Sequence, residues 1–510
     1  MSTVLATLAG ICALGAAGLL PVLVTVGLRW YAVPLAPLAG AVAASLAATA
    51  SLTFGGPLLD WFIGIAVLAA GAVCGLLVVR PDLGLRAEAP RRRGRGRGRA
   101  VDRVAGVVGF LVVVLACIWS LRGLRTPTVG FDARSLWVMR PGWFLHSHAQ
   151  LLVDLRARNL VLTQSAYPPL LSASVAVAWR ITGIHTARLG VTMVAVLDAC
   201  ALAAAALAVV QAGRTAAARV SRAWLPLAAG IAVAALLVVV AAGITEPFLT
   251  NGYADPLWSL AAVGAVAFGL QLRSDPSTRA AAVILVLVAG MTKNEGFVTA
   301  VALVVLVAAR SIGIAGLRGA RRRLVTPLVL AGCELAALAW WPVLMKAIHA
   351  RGATSTFSAS QDLANRTDAV AHGFSPYLHV LVLAVPLAVL GGIALRGVRR
   401  RVELGNDLWA WLALATGLVA VASALVTGNG AIGPWLLSTA HRITEYPAVE
   451  GWWIVGLWAV VAAAGLAGPT APDGVAAADP TGAPVAVDDP TSDGPAVDGP
   501  AVDGLVGAPR

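Results

Sequence analysis

The stretch "TARLGVTMVAVLDACALAAAALAVVQ" at residues 186–211 decides the fold class. It contains no proline, holds a single acid (Asp198) near its centre, and exceeds the ~20 apolar residues that a helix needs to cross ~30 Å of hydrocarbon. Runs of related kind lie near 4–27, 33–54, 57–79, 103–121, 222–244, 254–272, 279–291, 296–310, 324–348, 374–395, 405–428 and 450–468. The whole chain is 59% hydrophobic and 12% charged, with mean hydropathy +0.82. A soluble domain carries about 25% charged residues. In hydrocarbon every backbone polar group must be satisfied internally, and a helix does this within one segment. The sequence therefore predicts an all-α polytopic membrane protein with about 13 transmembrane helices. Its first run, "MSTVLATLAGICALGAAGLL", lacks the basic start of a cleaved signal and reads as a retained span.

The net charge of +13 does not point to nucleic acid, because the arginines concentrate in short connections between runs. These are Arg91–Arg103, "GRTAAARVSR" at 213–222, "RSDPSTR" at 273–279, "RGARRR" at 318–323 and "RGVRRR" at 396–401. With the N-terminus outside, all five fall on one side, which the positive-inside rule assigns to the cytoplasm. The other side receives 122–185, "TEPFLTNGYADP" at 245–256, the "TKNEG" turn at 292–296, residues 349–373 and 428–450. Those segments are richer in Trp, His, Tyr, Asn and acids. The expected location is the cell membrane, with the C-terminus cytoplasmic.

The same parity keeps Leu170–Trp179 from crossing. It is expected to lie against the outer leaflet as a juxtamembrane helix, held by Trp179 and Arg180. Residues 469–510 carry seven aspartates and a tandem "GPAVD" at 494–498 and 499–503. They cannot bury a core and read as a disordered acidic tail. The chain divides into three N-terminal spans with their basic loop (1–102), a transmembrane core (103–468) and the tail (469–510). All five cysteines lie in apolar runs, so the sequence predicts neither a disulfide framework nor a zinc site.

Candidate chemistry gathers on the outer side. Asp132, in "VGFDARSLW" at 129–137, is either the N-cap of an interfacial helix or a functional acid. "GWFLHSHAQLLVDLRARNLVL" at 142–162 predicts an amphipathic surface helix, whose His146 and His148 point apart and do not suit zinc. "SAYPPLL" at 165–171 turns the chain and leaves Tyr167 at the start of the next helix. "MTKNEGF" at 291–297 sets Lys293, Asn294 and Glu295 between two half-length helices; Lys293 and Lys346 are the only lysines. That cluster suits an anionic lipid phosphate, or is a polar turn with a Lys–Glu pair. Asp255 opens a span, and His441 and Arg442 precede the last one. Asp198 and Glu334 are intramembrane acids; Asp198, far from the outer face, is expected to have a structural partner.

The ordered set formed by the first-loop acid, "YPPLL", "TARLG", "GYADP" and "TKNEG" resembles the GT-C superfamily of membrane glycosyltransferases over roughly 103–450. The likeness is to the protein O-mannosyltransferase and aminoarabinose-transferase type and their actinobacterial relatives. The resemblance implies a GT-C-like core with Asp132 as the catalytic acid of the first outer loop. "PPL" matches Pro168, Pro169 and Leu170. Many relatives carry a second acid beside the first, whereas Ala133 follows Asp132 here, so a divalent metal stays open as a cofactor.

The expected function is transfer of a sugar from a polyprenyl-phosphate-linked donor to an envelope glycan, lipid or protein on the outer face. Asp132 would be the base of an inverting displacement. Lys293 and Arg442 would hold the donor phosphate, and Tyr167, Asp255, Asn294, Glu295 and His441 would bind substrate. The alternatives are a lipid-linked sugar flippase or transporter, and a non-catalytic subunit of an envelope complex. No internal repeat of the kind that marks many transporters is evident.

Overall fold

The computed structural model describes residues 2–79, 97–125, 128–130, 133–157, 166–246, 248–272, 275, 277–315, 322–350, 378–402, 409, 412–419, 442 and 445–469. Residues 1–469 form one compact unit. Among the described residues the secondary structure is helical, apart from an isolated bridge between Val220 and Pro469. Nine of these helices are long and apolar enough to cross a membrane, consistent with a multi-pass membrane protein. The acidic tail lies outside the described residues.

The helices are α1 (Thr3–Val26), α2 (Ala32–Phe54), α3 (Leu58–Val79) and α4 (Arg97–Ser120), then the short α5 (Arg140–Trp143) and α6 (His148–Arg156). They continue with α7 (Leu170–Thr182), α8 (Ala187–Ala217), α9 (Trp224–Thr245), α10 (Asp255–Leu270), α11 (Thr278–Thr292), α12 (Asn294–Ala315) and α13 (Arg322–Ala347). Last come α14 (Leu378–Ala394), α15 (Arg396–Arg401) and α16 (Glu445–Leu466). The opening stretch forms α8, about 46 Å long at ~1.5 Å per residue. Of the expected run 405–428, only 409 and 412–419 are described, all helical.

Burial sorts the helices into centre and rim. α2 and α8 are each 89% buried across their apolar windows, and every residue of α10 is buried. α1, α3, α4, α9, α13 and α14 instead expose Leu, Val and Ile outward. Water would not tolerate that much apolar surface, but hydrocarbon solvates it.

One expected element lies elsewhere. Leu170–Trp179 is not a helix resting on a leaflet: all ten residues are buried, and α7 packs against α1 and α2. Its all-round apolar character reflects protein contact rather than lipid contact. Arg180 and Ile181 are exposed at its end, while Trp179 stacks on His185 at 5.6 Å. The amphipathic helix expected over 142–162 is also broken within 142–157; residues 158–162 lie outside the described residues. The Ser147 hydroxyl accepts from Gln150 N and starts α6 afresh. His146 then faces Asp154 at 2.8 Å, and His148 meets the Leu52 carbonyl at 3.0 Å.

Contacts between connections define two ends. At one, Arg29 pairs with Asp275 (3.6 Å) and Tyr31 bonds Ser277 (3.0 Å). At the other, Gly130 N donates to Asn251 O (3.0 Å), Arg156 to Ile348 O (2.8 Å) and Trp341 to Ala166 O (3.1 Å). Gly130 and Asn251, both in segments expected on the outer side, thus meet at one end.

Candidate functional site

The second of these ends contains a buried charged cluster built from three connections. α10 begins at Asp255, with Pro256 supplying the fixed φ that suits a first helical turn. α11 stops at Thr292, and Lys293 adopts an extended backbone before α12 restarts. Arg442 precedes α16. Lys293 Nζ lies 2.7 Å from Asp255 Oδ1 and 3.6 Å from Glu295 Oε1, while Arg442 Nη1 lies 3.6 Å from Asp255 Oδ2. The Arg442 guanidinium also sits 4.7 Å over the Tyr253 ring, in cation–π range.

These groups are not rim charges. Asp255 is 1% exposed, Lys293 4% and Arg442 6%. Burial alone would lower the Lys293 pKa, but Asp255 and then Glu295 outweigh it and hold the pKa above the ordinary lysine value. Lys293 therefore stays charged. The Lys–Glu pair that "TKNEG" allowed does form, and Asp255 joins it from α10.

The segment carrying Asp132 is anchored on this cluster. Gly130 bonds Asn251, and its bare Cα lies so close to the Tyr253 ring that a Cβ there would collide. Ala133 is buried against Gly252, whose φ of +84° is a conformation that favours glycine. Both flanks of Asp132 thus rest on Asn251–Tyr253, two residues before Asp255. Asp132 itself and His441 lie outside the described residues.

Tyr167 is 9% exposed and stacks on Trp137 with centroids 5.8 Å apart. Its carbonyl accepts from Arg140, and its ring partner Trp137 belongs to the segment that packs on Gly252 beside the cluster. Asn294, by contrast, is exposed. The structure thus brings together Asp255, Lys293, Glu295, Arg442 and Tyr167, and leaves Asn294 at the surface.

Four features were missed in the sequence. Arg140 is fully buried, and its Nη2 donates to the Tyr167 carbonyl at 2.8 Å. Burial pushes its pKa down to about 9. The signal was local: "WVMRPGW" sets this arginine among Trp, Met and Pro, unlike the clustered arginines elsewhere. Trp258 is fully buried one turn after Asp255, 5.4 Å from the Tyr446 ring. Tyr446 and Glu450 are fully buried side by side against Gly417. Helix α16 starts before the predicted 450–468, so both belong to its first turns rather than to a loop.

Asp198 is nearer the cluster than its sequence position suggested. It is fully buried, close enough to Asp255 for the two carboxylates to act on each other, and neither of its oxygens has a hydrogen-bond partner. The expected structural partner is not found among the described residues. Nor do three or more His, Cys, Asp or Glu side chains group there as metal ligands.

No family model, curated protein sequence or solved structure matches this chain.

Proposed function

We propose that the protein is an integral membrane glycosyltransferase that takes its sugar from a polyprenyl-phosphate-linked donor. Its acceptor is an envelope glycan, lipid or protein at the outer membrane face. The observation that supports this reading best is the buried Asp255–Lys293–Glu295–Arg442 cluster, with both flanks of Asp132 packed on the turn that leads into it. Asp132 accepts the proton of the acceptor hydroxyl as its oxygen attacks the anomeric carbon. The bond from that carbon to the phosphate oxygen breaks, and polyprenyl phosphate leaves with the electron pair. Fixed positive charge stabilises the leaving phosphate without reorganising at the moment of reaction. Asp255 holds Lys293 and Arg442 in place for this, and the Trp137–Tyr167 stack supplies an aromatic wall.

A second reading, transport of a lipid-linked sugar, is favoured by Asp198, an intramembrane acid without a hydrogen-bond partner. Detergent micelles separate the two, because transport needs two compartments and transfer does not. Purified protein mixed with a synthetic polyprenyl-phosphate sugar and an envelope acceptor extract is expected to release polyprenyl phosphate. No release under any acceptor, with vectorial movement of the same lipid in vesicles, would replace the enzyme by the transporter.

The outward orientation rests on the arginine distribution. Among the single variants Arg95→Cys, Ser360→Cys and Pro490→Cys, only the second should react with an impermeant thiol reagent in intact cells. Labelling of the first would invert the topology and place the cluster on the cytoplasmic face.

A further inference from the structure

Positive charge around the site is unevenly matched. Lys293 and Arg442 face Asp255 and Glu295, so two cations meet two acids within 3.6 Å. Arg140 is different. It is fully buried, no carboxylate among the described residues pairs with it, and its one hydrogen bond goes to a neutral carbonyl. Among the described residues its Nε and Nη1 atoms have no partner. A guanidinium taken out of water without a counter-charge is strongly unfavourable, and a fold that keeps one needs a reason. Arg140 is also held in place: Pro141 stiffens the turn behind it, and the Tyr167 carbonyl fixes one arm of its fork. Tyr167, whose carbonyl holds it, stacks on Trp137, in the same segment as the Ala133 that packs on Gly252 beside the cluster.

We infer that Arg140 is an oxyanion-binding residue, and that its ligand is the phosphate of a lipid. Two unpartnered donor nitrogens on a planar, permanently shaped fork match phosphate oxygens better than a point charge would. Lys293 and Arg442 share their charge with Asp255 and Glu295, and Arg140 adds an uncompensated charge to theirs. Identifying the phosphate as the sugar donor's rests on the transferase reading; binding of an oxyanion by Arg140 does not.

The test is ligand-induced thermal stabilisation of the purified full-length chain in micelles, with three probes: polyprenyl phosphate without sugar, the corresponding uncharged polyprenol, and inorganic phosphate. Polyprenyl phosphate is expected to raise the Tm and polyprenol to leave it unchanged. A shift with inorganic phosphate as well would add the free ion to the ligands, and its absence would assign a lipid head group.

Arg140→Met removes a buried unpaired charge while keeping bulk. It should melt at or above the wild-type temperature without ligand, yet bind polyprenyl phosphate at least ~10²-fold more weakly, the loss of two charge-assisted hydrogen bonds. Arg140→Gln keeps a donor for the Tyr167 carbonyl and should show the same loss of binding, which covers the case of a poorly folded Met variant. Wild-type affinity for polyprenyl phosphate in either variant would overturn the inference, as would equal stabilisation of the wild type by polyprenol. A wild type that binds phosphate through Arg140 but transfers no sugar would leave this inference standing and remove the transferase reading. Transfer by Arg140→Met at the wild-type donor KM would do the reverse.

Discussion

The two ends of the bundle each hold a buried or half-buried carboxylate, and they use it differently. At one end Asp275 accepts from Gln211 Nε2 (3.0 Å), Ser277 N (3.1 Å) and Ser277 Oγ (2.7 Å), and faces Arg29 at 3.6 Å. Its oxygens are engaged by near neighbours, and the result ties the α1–α2 connection to α8 and the start of α11. At the other end Asp255 is likewise engaged, but its surroundings are not closed. Arg140 keeps two free donors, Glu295 one free oxygen and Asp198 two. Structural networks tend to satisfy every buried polar atom, and exceptions call for an explanation. The closed network reads as a pin and the open one as a site.

The largest expected effect is on stability at the open end. Lys293→Ala leaves the Asp255 carboxylate in the protein interior with Arg442, at 3.6 Å, as its one cationic partner among the described residues. Breaking a buried pair by removing one partner costs about 3–5 kcal/mol, because the remaining charge keeps its desolvation penalty. Replacing both partners, as in Lys293→Met with Asp255→Leu, should recover much of that loss while abolishing function. Chemical denaturation of the three proteins in micelles provides the comparison. A single variant as stable as wild type would show that Asp255 is wetter than its 1% exposure implies, and the contrast between the ends would weaken.

Next in size is the effect of Asp132→Asn on transfer. Asparagine caps a helix about as well as aspartate does, so a purely structural role predicts unchanged stability and unchanged transfer. A general base loses its proton acceptor, and transfer should fall by at least ~10²-fold with polyprenyl-phosphate binding retained. Full activity would move the base to another acid near the cluster, and Glu450 and Asp198 are the buried carboxylates available there.

Which parts of this were legible in the sequence follows from what each signal reports. Apolar length identified the runs that became α1–α4, α8–α14 and α16, because hydrocarbon imposes a length on any helix that crosses it. Arginine spacing proposed which connections share a side, and the Gly130–Asn251 contact joins two of the segments it placed together. Burial was less legible. The apolar face of α7 looks the same whether it meets lipid or protein, so its insertion beside α1 and α2 could not be read from residue type. The same ambiguity hid the cluster's depth: Lys293 and Asp255 were visible as polar residues at span edges, but their 2.7 Å pairing depends on two connections 38 residues apart. Arg140 escaped notice for the converse reason. An arginine in a loop is ordinarily solvated, and only its packing under Tyr167 makes it unusual.

The smallest expected effect tests the closed end. Asp275→Asn keeps an acceptor oxygen for Gln211 and Ser277 but gives up the charge facing Arg29. Hydrogen bonds to a charged group are worth roughly 1.5–3 kcal/mol, and only part of that is lost when an amide oxygen replaces the carboxylate. The two side chains are 14% and 11% exposed, so water and salt screen the Arg29 contact further. A loss of about 1–2 kcal/mol in denaturation follows, with no change in transfer or in polyprenyl-phosphate binding, since the partners of Asp275 among the described residues do not include any residue of the Asp255 cluster. If Asp275→Asn instead reduced transfer as much as Asp132→Asn does, the two ends would be coupled through α8 and α10. Asp275 would then be part of the working machinery, and its fully satisfied oxygens would mark one state of a switch rather than a pin.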